Sequence, residues 1–157
     1  MDFIKQVFGL KKPQPAVEPI FPGEHFTSYE LQLPQGLSLA TVNHAYDHYA
    51  NKAVYSWHVL VELEILDRQE GHVLTETEQL QLNDLRTAAA TFLGETQTVH
   101  YVGNVLREGF MDLLYYIDTP LMSQPAVDAF CNGVMKERGI NFTIENDPEW
   151  NCVGLIK

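Results

Sequence analysis

Between Trp57 and Asn146 the apolar pattern switches repeatedly between a period of two and a period of about 3.6, and this order of elements restricts the possible folds more than any single motif. Trp57, Val59, Val61, Leu63 and Ile65 alternate with His58, Leu60, Glu62 and Glu64, the pattern of a strand with one buried face. Residues 67–74 form a polar loop carrying Gly71. Thr75 and Glu78 have the spacing of a capping box, and a helix is predicted from there to about Leu93. Leu82, Leu85, Ala89 and Phe92 form its apolar stripe, and Gly94 supplies a stop. Two strands, about 98–107 and 110–117, meet at a tight Glu108-Gly109 turn. A second helix spans about 123–138, with Ser123 as its cap, Pro125 in its first turn and Gly139 at its end. Its stripe is Val127, Phe130, Cys131, Val134 and Met135, and Ile140, Phe142 and Ile144 alternate through a last strand.

The order β-α-β-β-α-β is that of the ferredoxin-like split unit, so the predicted class is α+β. Four antiparallel strands carry both helices on one face, with the first and third strands central. If Trp57, Val59, Val61 and Leu63 meet the helices, then His58, Leu60, Glu62 and Glu64 face outward, together with Phe110, Asp112, Leu114 and Tyr116. An apolar patch at the centre of that outer face requires a cover. A hairpin at 25–43 is the natural candidate, and a partner or a second copy is the other.

That hairpin is read from His25 to Leu33, with Tyr29, Leu31 and Leu33 on one face, then Pro34-Gln35-Gly36 as turn chemistry, then Leu37, Leu39 and Thr41. Leu39, Val42, Ala45, Tyr46 and Tyr49 also fit helical spacing. The strand is preferred up to about Asn43, with a loop or short helix through Lys52. Upstream, residues 2–10 have the pattern of a short helix, and Pro13, Pro15, Pro19 and Pro22 punctuate an extended linker. A segment this short is marginal alone, so docking on its own domain or on a neighbouring copy is favoured over a weak membrane or partner anchor. The predicted organisation is a helix and linker at 1–24 and one α+β domain at 25–157, comprising the hairpin 25–43, the unit 57–146 and a tail 147–157.

An apolar fraction of 45% with 20% charged residues is that of a chain able to build a core. Twenty-one acidic against ten basic side chains give a net charge of −11, which repels nucleic-acid backbones and anionic membranes; it permits a basic protein partner, though such acidity more often serves solubility. Two cysteines make no disulfide framework, and Cys131 falls on a helical stripe as a buried thiol. Neither a secretory signal nor an apolar run of membrane length occurs, so a cytoplasmic setting is expected.

The strand Trp57-His58-Val59-Leu60-Val61, the helix opening Leu74-Thr75-Glu76-Thr77-Glu78-Gln79-Leu80, the strand from Gly109-Phe110 to Tyr115-Tyr116 and the closing Asp147-Pro148-Glu149-Trp150 together resemble a bacterial family of domains of unknown function, number six-nine-five. The resemblance runs from about Leu39 to Leu155, and the closing motif is its most distinctive part. It implies a fold similar to that of the small acidic protein regulators of ribonuclease E, which bind the enzyme and do no chemistry. Fold likeness of this kind bears on function only by analogy.

His44 and His48 are the best metal-like pair, one turn apart if helical, but a third ligand is wanting and surface histidines are the better reading. His58, His72 and His100 are scattered. No nucleophile elbow and no phosphate-cradling glycine loop occurs, and no cofactor is expected. Glu62 and Glu64 with Asp112 could form an acid/base pair, though such charges more often meet solvent or a basic partner. Arg107 to Tyr115 bears a faint likeness to an RNA-recognition strand, against which Asp112 and the net charge both argue. Asp147-Pro148 is expected to end the last strand, with the Trp150 indole folding back to close the core edge and its N–H reaching a carbonyl. The function these residues support is a non-enzymatic protein-binding or regulatory module acting through the outer face. The alternatives are an enzyme or metal-binding protein using His44/His48 or Glu62, Glu64 and Asp112, and a structural homo-oligomer. Deleting residues 1–12 is expected to leave the domain folded, as read by circular dichroism; loss of folding would assign that segment to the core.

Overall fold

Alternating residues in six segments pair into one antiparallel sheet. The computed structural model describes residues 20–34, 36–68 and 73–154; the predicted helix at 2–10, Pro13, Pro15, Pro19, Gly71 and His72 lie outside these. The strands are β1 (Phe26–Leu33), β2 (Gly36–Asn43), β3 (Trp57–Glu64), β4 (Val99–Arg107), β5 (Phe110–Ile117) and β6 (Ile140–Asn146), in the order β1-β2-β4-β5-β3-β6. The helices are α1 (Glu76–Gly94), α2 (Gln124–Met135) and the single turn α3 (Asn151–Gly154).

The hairpin forms as its turn chemistry requires, with Phe26 opposite Asn43 and Leu33 opposite Gly36. It does not cover the sheet. β2 pairs with β4 from Leu39↔Leu106 to Val42↔Gly103, so the hairpin extends the sheet sideways. The outer edge of β4 would otherwise present unpaired backbone groups, and β2 satisfies them. The buried face of β2 is Ser38, Ala40 and Val42, while Leu37 is exposed. Pairing with β4 therefore selects the less apolar side of that strand for burial. Asn43 ends it by accepting a hydrogen bond from Ala45 N, and a 3-10 turn follows at His44–Tyr46.

Register slips between β4 and β5 at Tyr101/Gly103, a β-bulge. Gly103 has φ 155, and a Cβ there would lie 2.2 Å from the Thr41 carbonyl oxygen. Only glycine lets β2 approach this closely. At the β4–β5 turn Gly109 takes φ 81.

One core lies between the sheet and the two long helices. Val59, Val61, Leu63, Leu113, Tyr115, Ile117, Phe142 and Ile144 meet Leu82, Ala89 and Leu93 of α1 and Val127 and Cys131 of α2. Leu85, Phe92, Phe130 and Val134 pack around them as the stripes predicted, and Phe92 stacks on Phe130 at 4.7 Å. Met135 departs from its predicted place at 59% exposed, and α2 ends there rather than at 138. The chain leaves the helix early and turns Arg138 inward onto Glu78.

That pair also revises the capping box. Thr75 Oγ accepts from Glu78 N at 3.2 Å, but the Glu78 carboxylate turns away to receive the Arg138 guanidinium and the Leu66 amide. Arg138 donates further to Glu64 O at 3.0 Å and Gln81 Oε1 at 2.8 Å. With Glu78 only 2% exposed and Arg138 4%, the pair joins α1 to the chain before β6 inside the protein. Removing one partner of such a pair leaves an uncompensated buried charge. Arg138→Ala is expected to lower unfolding free energy in urea by about 3–5 kcal/mol. Gly103→Ala is expected to release the β1–β2 hairpin from β4, read as faster amide exchange at Leu39 to Val42.

Candidate functional site

All eight residues predicted for the outer face do share one face. His58 lies opposite Tyr116, Leu60 opposite Leu114, Glu62 opposite Asp112 and Glu64 opposite Phe110. The face is nonetheless not uniformly open. His58, Leu114 and Tyr116 are buried, Leu60, Glu62 and Asp112 are half-buried, and Glu64 and Phe110 are exposed.

The covered half is a second core. Ala40, Val42, Val102, Val105, Leu114 and Tyr116 of the sheet lie under Tyr46, Tyr55, Trp150 and Val153. The cover thus comes from the irregular segment 44–56 and the tail, not from the hairpin. Trp150 lies parallel to Tyr116 with ring centroids 4.0 Å apart and planes at 6°. Its indole N–H donates to Tyr55 O at 2.9 Å and Lys52 O at 3.1 Å, as the sequence reading required of a buried indole. Trp150 adopts φ 57, a left-handed conformation that costs about 1–2 kcal/mol for a side-chain-bearing residue. A buried aromatic contributes several times that, at roughly 25 cal/mol per Å² over about 150–250 Å².

Asp147 organises the turn that delivers Trp150. Its carboxylate accepts from Tyr116 Oη at 2.6 Å, Asn151 N at 2.9 Å and Cys152 N at 3.0 Å. Burial opposes its charge, but the hydrogen bonds outweigh burial and hold its carboxyl below the usual range. Burial and the bond to Asp147 push the Tyr116 hydroxyl up.

His100, predicted to be an ordinary strand residue, sits at the centre of the aromatic cover. Its ring meets Tyr55 edge-on at 4.3 Å and Phe21 at 4.8 Å. Tyr49 donates its hydroxyl proton to Ile20 O, so it accepts from His100 Nε2–H at 3.3 Å. Tyr46 then donates to Nδ1 at 2.8 Å, which assigns a neutral Nε2–H tautomer. Desolvation by burial lowers the pKa of His100 to about 4.

At the open half, Arg107 comes between the acidic residues. Its Nη2 donates to Glu62 Oε1 at 2.9 Å and its Nε to Asp112 Oδ2 at 2.7 Å. Asn141 donates to Glu62 Oε2 at 2.7 Å, and Gly139 N to Glu64 Oε2 at 2.8 Å. The same guanidinium lies 4.6 Å from the centroid of the Phe110 ring. The hydrogen bond to Asp112 pushes the Arg107 pKa further up, and burial lifts the Asp112 carboxyl against the pull of Arg107. Glu64 lies opposite Phe110 rather than Asp112, so only Glu62 faces that carboxylate across the strands.

The predicted metal pair is not brought onto one helical face. His44 belongs to the 3-10 turn, with Nε2 on Tyr29 Oη at 2.6 Å and Nδ1 on Asp47 at 2.8 Å, while His48 is exposed beyond it. A different trio gathers. Donor atoms of His58, Glu145 and Cys152 lie within 4.8 Å of one another. The spacing of Arg107, Arg138, Glu145 and Cys152 in the sequence gives no sign of these pairings. Tyr46, Tyr49 and Tyr55 did carry a signal, three large aromatics within ten residues.

Trp150→Ala is expected to cost about 3–5 kcal/mol in urea unfolding, with near-ultraviolet dichroism reporting the loss of the stack. Stability should also depend on pH through His100. The unfolded chain titrates there near 6.5 and the folded protein near 4, so between these values the unfolded state holds the extra proton. The stabilisation is complete above about 6.5 and declines by about 3 kcal/mol as pH falls toward 4. His58, lowered chiefly by burial, acts in the same direction. Urea unfolding at several pH values reads the slope, which His100→Gln should flatten.

No curated protein and no solved structure matches the chain. Residues 26–153 match the Family of unknown function (DUF695). The match takes in the β1–β2 hairpin, both cores and the Asp147-to-Trp150 turn, and the chain is a member of that family.

Proposed function

We propose that the protein is a non-enzymatic module that binds another protein in a regulatory role, and that the open half of the outer face makes the contact. The Arg107 network carries this reading. The two carboxylates able to act as an acid/base pair, Glu62 and Asp112, are both held by one guanidinium. A pair sharing a proton needs two unneutralised acids side by side, and Arg107 removes that condition.

What the network leaves at the surface suits docking. Phe110 is 38% exposed and Leu66 52%, and Ile65 N bonds to Gly109 O, which keeps the two neighbourhoods together. Glu64 and Glu108 lie at the rim, and the net charge of −11 favours a basic partner. The order β4-β5-β3-β6 supports reading 57–146 as a ferredoxin-like unit widened by the hairpin, within a domain at 25–157. Two free cysteines, Cys131 and Cys152, support a reducing, cytoplasmic setting.

The test separates binding from folding. Glu64→Lys combined with Phe110→Ala should leave far-ultraviolet dichroism unchanged and abolish capture of a partner from cell lysate. Full capture by the folded double variant would remove this surface from consideration.

A further inference from the structure

The covered half of the outer face holds a group of side chains that the docking surface does not use. His58 projects from β3, an interior strand, opposite Glu145 of the edge strand β6. Its Nδ1 stands 3.6 Å from Glu145 Oε1, too long for a strong hydrogen bond, and its side chain is 5% exposed. Its Nε2 has no hydrogen-bond partner among the described residues. Cys152 reaches the same spot from α3, with Sγ 3.0 Å from Glu145 Oε1. Ligand atoms of an imidazole, a carboxylate and a thiol thus lie within 4.8 Å of one another, with the imidazole buried and its Nδ1 turned toward the carboxylate.

We propose that His58, Glu145 and Cys152 form a binding site for one divalent transition-metal cation of the zinc class. Thiolate and imidazole donors select borderline ions such as zinc and cobalt over magnesium and calcium. Bond lengths of about 2.0–2.3 Å around such an ion bring its donors to roughly 3.3–3.6 Å of each other. The present separations, 3.0 and 3.6 Å to Glu145 Oε1 and all within 4.8 Å, bracket that value. On binding, the Cys152 thiol loses its proton to solvent and the sulfur becomes a thiolate ligand. Glu145 is exposed, so the fourth position opens to water.

Asp147 is a positioning residue for this site rather than a ligand. Its oxygens already serve Tyr116, Asn151 N and Cys152 N, and the last of these bonds sets where residue 152 stands relative to the sheet. The fold therefore brings the donors together before any ion arrives. The ion in turn would tie α3, and with it the Trp150 cover, to β3 and β6.

The full chain, purified without a histidine tag, reduced and freed of metal by chelator, is titrated with cobalt(II) and then with zinc(II). The expected result is one equivalent of cobalt, tetrahedral visible bands and a near-ultraviolet sulfur-to-cobalt charge-transfer band, all displaced by zinc. Zinc should also raise the Tm by several degrees, since it binds only the folded chain. Cys152→Ser should remove the charge-transfer band, and Glu145→Gln should weaken cobalt binding at least ten-fold. His44→Ala should keep both signals, and metal-free dichroism should show all three variants folded. A wild-type protein without the charge-transfer band would overturn the proposal. So would a band that survives in Cys152→Ser or vanishes in His44→Ala. Loss of partner capture by the Glu64→Lys, Phe110→Ala variant is independent of these readouts, so the two proposals can fail separately.

Discussion

Trp150 stacked on Tyr116 closes the face of the sheet that the long helices leave open. The sheet is apolar on both faces at its centre, yet both long helices lie on one. A face left open there would expose the aromatic and aliphatic side chains of β2, β4 and β5 to water. The chain solves this with the segment 44–56, whose turns are closed by local backbone bonds such as Asp47 N to His44 O and Val54 N to Asn51 O. The indole N–H reaches the carbonyls of Lys52 and Tyr55, so the tail holds the segment down while the ring covers Tyr116. The left-handed backbone at Trp150 is tolerated because burial of the indole outweighs its strain.

The same contact links hairpin to tail. Ala40 and Val42 find their cover in Tyr46, Tyr55 and Trp150, so β2 is held both by its ladder to β4 and by the second core. The bulge at Gly103 adjusts β4 to this second neighbour. Two cores on opposite faces of one sheet therefore share the strands β3, β4 and β5 without sharing covering elements.

Charge is distributed with similar economy. Ten basic residues face twenty-one acidic ones, and Arg138 and Arg107 are engaged in ion pairs. Arg138 neutralises a buried glutamate between α1 and β6, and Arg107 joins two acidic strands at the open half. These groups nearly cancel among themselves, so almost all of the net charge of −11 lies on the rest of the chain.

Much of the local structure was legible in the residues. Alternation from Trp57 to Ile65 placed β3 and both its faces, and Thr75 and Ser123 marked the helix starts they cap. The closing Asp-Pro-Glu-Trp predicted a buried indole with a satisfied N–H, which is what it forms. These signals are short-range: a side-chain period, a cap and a turn act over a few residues and leave their trace in a few residues. The edge that accepts the hairpin, the partner that draws Glu78 out of its capping box, the Arg107 bridge and the meeting of His58 with Cys152 have no such trace. Each is chosen in competition among all segments of the chain, by which surface remains apolar and which polar group remains unpaired once the others have packed. Side-chain period and capping chemistry set most of the elements and the helix-facing side of the sheet; packing set which side of β2 is buried and what covers the second face, because there segments nearly a hundred residues apart compete for the same surface.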